Sequence, residues 1–233
     1  MSPAEFGVNF FVAMFALIDP VGNVPVFAAA TSRASPAGRR WVALYISLFA
    51  MGFLAFFYFT GLGLLRFFGI SLPAFRIAGG ILLLLLGLDM AREDMTAAFA
   101  DPAYEHEAEG ARGYARRRFE RLVVPFAMPL LIGPGAISAT IIYAGEARAI
   151  GWAGTLAGLL AMAALALSTF VTFVLTPIIS RVLGRIGMTI IVRVSGLILC
   201  AMAVQFMIIG MNDATHGLVR QSVAVPYAAA GKH

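Results

Sequence analysis

The chain has 233 residues, of which 61% are hydrophobic and 12% charged, with a formal net charge of +5. A soluble domain carries about a quarter charged residues to clothe its surface, so this composition, with a mean hydropathy of +0.89, excludes an ordinary water-soluble globule. The basic excess is almost entirely Arg at the ends of apolar runs, with no basic face interleaved with aromatics; this excludes a nucleic-acid partner and fits loops beside a lipid bilayer.

The chain starts Met1-Ser2-Pro3-Ala4-Glu5, without the basic n-region of a secretory signal, so the first apolar run is expected to remain in place. A helix needs about 20 apolar residues to cross the hydrocarbon core, and six runs meet that length, at 6–30, 41–65, 73–90, 122–144, 151–179 and 187–211. They are too long for barrel strands and lack a period of two. The expected fold is an all-α membrane protein of six transmembrane helices.

The first run contains Asp19-Pro20-Val21-Gly22-Asn23-Val24-Pro25, which does not read as continuous helix, because proline lacks an amide donor and glycine leaves helix without a Cβ penalty. At 1.5 Å per residue Asp19 lies about 20 Å into its span, near mid-membrane. A carboxylate there costs at least about 2.5 kcal/mol, which marks a functional position. Asp19 equally reads as the N-cap of a half-helix beginning at Pro20, and Asn23 follows one turn later on the same face. Arg76 opens the third run, either snorkelling to the interface or serving as a counter-charge, and Asp89 near its end reads as interfacial.

Residues 92–121 change composition abruptly, an acidic stretch preceding Arg116-Arg117-Arg118, and read as a solvated loop that divides the chain. The organisation is then a first three-span half at 1–91, the charged linker at 92–121, a second half at 122–212 and a tail at 213–233. The fourth run holds Pro125, Pro129 and Gly133-Pro134-Gly135, with Pro134 about 18 Å deep. In the fifth, Ser168, Thr172 and Thr176 form a polar stripe expected to bond between helices, and Gly154 and Gly158 form a small-residue packing face. The sixth carries Arg193, Gln205 and Cys200, the one cysteine, read as a buried structural thiol.

Arg76-Ile77-Ala78-Gly79-Gly80-Ile81-Leu82 lies over Arg193-Val194-Ser195-Gly196-Leu197-Ile198-Leu199 at an offset of 117, and Leu17-Ile18-Asp19-Pro20 over Leu131-Ile132-Gly133-Pro134 at an offset of 114. Two landmarks in the same order indicate duplication. Three spans per half is odd, so the second half enters from the opposite side: a 3+3 inverted repeat with helices 1 and 4 broken near mid-membrane. Backbone groups freed at that depth must face protein or a polar cavity. The candidate binding set is therefore Asp19, Pro20, Gly22 and Asn23 from the first break with Gly133, Pro134, Gly135 and Ser138 from the second. Asp19, Arg76 and Arg193 are the candidate coupling or counter-charges. Arg33, Arg39, Arg40, the linker arginines, Arg181 and Arg185 outweigh Arg66, Arg76, Arg148, Arg220 and Lys232, which puts both termini outside and the linker in the cytoplasm.

No Walker loop, His-Glu-x-x-His helix or Ser/His/Asp arrangement occurs, and His106, His216 and His233 all lie outside the spans, so no enzyme, metal or cofactor is expected. The combination of Asp19-Pro20-Val21-Gly22-Asn23-Val24-Pro25-Val26-Phe27, Arg76-Ile77-Ala78-Gly79-Gly80-Ile81, Gly87-Leu88-Asp89-Met90 and Pro129-Leu130-Leu131-Ile132-Gly133-Pro134-Gly135-Ala136-Ile137 resembles the signatures of the MarC family. These are six-span proteins of the bacterial plasma (inner) membrane, also called the neutral amino acid transporter family. The resemblance runs from about residue 6 to residue 212. It implies a secondary transporter, an exporter or exchanger of small neutral amino acids such as glycine and alanine, with proton coupling and self-association both open. A zwitterion suits the breaks: its carboxylate at a half-helix N-terminus, its ammonium beside Asp19 or freed carbonyls. The alternative is a non-transporting membrane scaffold or assembly factor.

Overall fold

Ser2 starts the first helix by a reciprocal cap: its hydroxyl accepts from the Glu5 N–H at 3.2 Å while its own N–H donates to the Glu5 carboxylate at 2.7 Å, with Pro3 as the first helical residue. This helix, α1 (Pro3–Ile18), buries Phe6, Phe10 and Met14 at a spacing of four, one face of the helix. The computed structural model describes residues 1–92, 110–123, 127 and 131–215. The linker residues 93–109, Pro125, Pro129 and the tail from His216 lie outside the described residues.

Helix gives way at Asp19, whose φ of 43° and ψ of 64° are left-handed; it is the one non-glycine residue with positive φ among the described residues. The chain turns and resumes as α2 (Val24–Ala30), then α3 (Pro36–Phe67) and α4 (Leu72–Arg92). The C-terminus of α2 is held by two cations. Arg118 Nε donates to Ala30 O at 2.7 Å and Arg39 Nη2 to Thr31 O at 3.1 Å, offsetting the partial negative charge of the helix end.

Arg118 belongs to α5 (Ala111–Leu122), so the basic part of the linker is helix rather than the solvated loop expected. The reason is an apolar stripe between the arginines. Phe119 packs on Tyr45 and Phe49, Arg112 stacks over the Trp41 ring at 4.3 Å, and Arg118 is 7% exposed. Beyond α5, Ile132 N–H bonds back five residues to Ala127 O at 3.0 Å, the spacing of a π-type turn. Gly133, with φ −76° and ψ 170°, then leaves helix altogether, and α6 (Pro134–Ile150) begins. The last helices are α7 (Trp152–Val174) and α8 (Thr176–Ala214), the latter bent at Gly184, where φ is 62°. Thr176 thus lies beyond the fifth apolar helix. Ser168 and Thr172 bond to carbonyls of their own helix, Leu165 O and Ser168 O, both at 2.8 Å, instead of across helices.

Among the described residues four helices are long and apolar enough to cross a membrane: α3, α4, α7 and Ile186–Ala214 of α8. Many of their large apolar side chains, such as Phe56, Leu160 and Leu167, point outward, as lipid contact requires. The runs at 6–30 and 122–144 are each divided, the first between α1 and α2, the second at Gly133. α4 and α8 lie antiparallel in close contact. A Cβ on Gly80 would stand 2.8 Å from Ala203 O, one on Gly87 2.8 Å from Gly196 O, and one on Gly210 3.0 Å from Pro73 O. Only glycine lets these backbones approach so nearly. Cys200 Sγ, at 3.8 Å from Leu84 O, packs into the same seam, half-buried rather than buried as expected. Phe27 of α2 stacks on Phe173 of α7 at 4.3 Å, and Tyr58 of α3 fits against Gly158, the small-residue face of α7.

Candidate functional site

Ending α1 at mid-length frees carbonyls that need donors. Asn23 supplies them: its Nδ2 donates to Ile18 O at 2.9 Å and to Asp19 O at 3.0 Å. The Asp19 carboxylate closes the turn by accepting from the Gly22 N–H at 3.0 Å. It therefore caps the turn and not a helix starting at Pro20; α2 starts at Val24, where Asn23 occupies the N-cap position without a side-chain cap bond. Pro20 is buried within this turn. Because both Asn23 amide donors are used, the amide orientation is fixed. Its Oδ1 is left as a buried acceptor with no partner among the described residues.

The second Asp19 oxygen lies beside Gly22, near Ser195 of α8. A Cβ added to Gly22 would collide with Asp19 Oδ2 and also with Ser195 Oγ of α8, so both oxygens crowd the same bare Cα. Ser195 was not among the residues singled out from sequence. The one available signal was its place inside the recurring Arg-x-x-Gly motif, beside Gly196.

At the second break, Gly133 is the N-cap residue of α6 and contributes no side-chain cap. The first-turn amides are exposed to whatever adjoins Pro134, Gly135 and Ala136. Gly135 abuts two other helices: its Cβ would collide with Leu83 of α4 and lie 3.5 Å from Leu17 of α1. Ser138, one turn in, is fully buried, and its Oγ has no partner among the described residues. Leu17 is two residues from Asp19, so the structure brings the two breaks side by side.

Next to them a cavity of about 310 Å³ opens between α1, α4, α6 and α8. Leu17 and Ala139 line it from beside the breaks, and Arg76, Tyr143 and Glu146 from its other end. Arg76 Nη1 pairs with Asp213 Oδ2 at 2.6 Å, and the Arg76 side chain is 11% exposed. Arg193, its counterpart in the repeat, is exposed on α8 and has no ion-pair partner among the described residues. Glu146 and Asp213 were missed from sequence because each lies just past the end of an apolar run, where a charge reads as interfacial. Among the described residues no group of three or more His, Cys, Asp or Glu side chains could hold a metal ion.

Comparison with known proteins fits this architecture. Residues 4–215 match the family model described as MarC family integral membrane protein. A UPF0056 membrane protein of Aquifex aeolicus is 38% identical over 216 residues, covering 90% of this chain and 95% of its own length. A UPF0056 membrane protein of Methanocaldococcus jannaschii is 38% identical, with 90% and 98% covered, and one of Escherichia coli 34% identical, with 91% and 94% covered. No solved structure matches the chain.

Proposed function

We propose that this chain, which belongs to the MarC family of integral membrane proteins, is a secondary transporter of small neutral amino acids that holds its substrate between the two helix breaks. The observation carrying this reading is the pair of adjoining departures from helix, at Asp19 and Gly133, beside a cavity between the two parts of the chain. Backbone irregularity at membrane depth is tolerated where it lines a cavity.

The packing supports a 3+3 inverted repeat of six spans. α2 packs on α8 as α6 packs on α4, α1 on α7 as α5 on α3, while α3 meets α7 and α4 meets α8. Exchanging the halves leaves these pairings unchanged, whereas the packing of α6 on α7 and on α1 has no counterpart of similar extent for α2. In this reading α1 with α2 forms the first span, and the π-turn with α6 the fourth. The arginine distribution favours both termini outside the plasma membrane and α5 in the cytoplasm.

A zwitterion matches the groups left over. Its carboxylate suits the open amides of the 17-residue helix α6 beside Ser138 Oγ, and its ammonium suits Asp19 Oδ2 and the orphaned Asn23 Oδ1. Asp19 is also placed to couple the cycle to protons. The test is uptake of labelled glycine and alanine by liposomes containing the purified protein, with and without a pH gradient. Saturable uptake is expected; its absence for every small neutral amino acid under both conditions removes the reading.

A further inference from the structure

The cavity has two chemically distinct ends, and the helix breaks adjoin one of them, through Leu17 and Ala139, without lining it themselves. Ala13, Ala16, Leu17 and Ala139 give small apolar walls near the breaks. At the far end stand Arg76, from the first turns of α4, and Glu146, from the last turns of α6. Asp213, close to the end of α8, holds one corner of the Arg76 guanidinium. These three helix ends lie together, on the outer side in the topology proposed above.

Arg76 is only partly used. Asp213 takes Nη1, while Nε is buried without a partner among the described residues. A buried guanidinium N–H left unmatched is expensive, and a guanidinium edge is the donor fork that a carboxylate fits with two parallel bonds. Glu146 is exposed, lines the same cavity and has no ion-pair partner among the described residues. One cationic fork and one free carboxylate across a small apolar chamber match a small molecule that carries an anionic and a cationic group and little else.

We infer that this outer chamber is a separate recognition site, in which Arg76 takes the carboxylate and Glu146 the ammonium of an amino-acid zwitterion before it reaches the breaks. The inference rests on the transport reading and assigns the two residues that select for an uncharged whole. Asp213 is a positioning residue that turns the Arg76 fork toward the cavity. A molecule lacking either charged group satisfies one end and leaves the other unmatched. A second net charge meets a like charge at Glu146 or at Arg76.

The test uses the full-length protein in lipid nanodiscs and compares binding of L-alanine, propionate and alaninamide by calorimetry. On the unmutated protein, propionate and alaninamide should each bind about tenfold or more weaker than alanine, the effect of one lost charged hydrogen bond. Arg76→Lys, which keeps the charge and loses the fork, should weaken alanine and propionate and leave alaninamide unchanged. Glu146→Gln should weaken alanine and alaninamide and leave propionate unchanged. This crossed pattern is beyond a structural role, which would weaken all three together. Uniform weakening, or no effect of either variant, overturns the site. Uptake of labelled alanine by the same preparations separates the two claims: uptake without the crossed pattern removes this site and leaves transport standing, whereas no uptake and no binding by the unmutated protein removes both.

Discussion

Asp19 and Ser195, far apart in the chain, bring their side-chain oxygens against one bare Cα, that of Gly22. A methyl group at Gly22 must displace the Asp19 carboxylate, which closes the turn, or push α8 away. Gly22→Ala should therefore destabilise the protein by about 1–3 kcal/mol, the usual range for overpacking a close contact, and abolish uptake. Thermal unfolding in detergent measures the first effect. Adding Ser195→Gly to Gly22→Ala should recover part of the stability, since it removes one of the two collisions. A double variant no more stable than the single one would place the conflict elsewhere.

The left-handed backbone at Asp19 and its charge can be separated. Asn adopts left-handed geometry at least as readily as Asp and offers an oxygen to the Gly22 N–H. Asp19→Asn should thus unfold close to the native temperature, while uptake or its dependence on the pH gradient is lost. Asp19→Val adds a β-branched side chain at φ 43° and should cost about 1–3 kcal/mol. Equal stability of the Val and Asn variants would show that the turn is not held in this conformation.

What could be read from the sequence, and what could not, follows the range of each signal. Apolar length and Pro/Gly placement are local, so the long helices and the departures at Asp19 and Gly133 were legible. Which side chains meet across the molecule is a tertiary fact. Ser195 looked like any serine in an apolar helix until Gly22 was seen against it, and Glu146 and Asp213 looked like interfacial charges until Arg76 appeared between them. The basic stretch before Leu122 misled for a similar reason. Its arginines suggested water, while the phenylalanine and tyrosine that bind it to α3 are visible only once α3 is alongside. The reach of Arg118 to Ala30 O spans 88 positions in sequence and has no local signature.

The α4–α8 seam should be the most substitution-sensitive apolar surface. A methyl at Gly196 would stand 2.7 Å from Gly87 O, a backbone atom that no side-chain rotation can move aside. Gly196→Ala and Gly80→Ala are each expected to lower stability by about 1–3 kcal/mol. Gly52 on α3 has nothing within 4 Å of its added Cβ, so Gly52→Ala should be neutral or stabilise by up to about 1 kcal/mol through helix propensity. Unfolding temperatures of the three variants side by side check the ordering.

Arg118 caps a helix of only seven residues, so its loss should be felt locally. Arg118→Met keeps the length and apolar packing of the side chain and removes the donor, leaving Ala30 O buried without it. About 1–3 kcal/mol is expected for that orphaned carbonyl. Hydrogen exchange should speed up in α2 more than in α7. Exchange raised uniformly along the chain would show that Arg118 acts on global stability and not on the α2 terminus.

The orientation proposed from the arginines makes a parity claim that labelling can decide. In a Cys200→Ala background, single cysteines at exposed positions on each side report independently: Ala4 in the first turn of α1, Ile70 between α3 and α4, and Trp152 at the start of α7 on one side, Ser32 and Gly110 on the other. In right-side-out membrane vesicles an impermeant maleimide should label Ala4→Cys, Ile70→Cys and Trp152→Cys at once, and Ser32→Cys and Gly110→Cys only after permeabilisation. The reverse pattern would turn the protein over and move the Arg76 chamber to the cytoplasmic side, leaving the inverted repeat intact. A mixed pattern, in which Ala4 and Ser32 label from one side, is the more damaging result. It would mean that α1 and α2 enter and leave on the same face as a re-entrant pair, so that the two halves no longer have equal numbers of crossings and the repeat is not inverted by membrane parity.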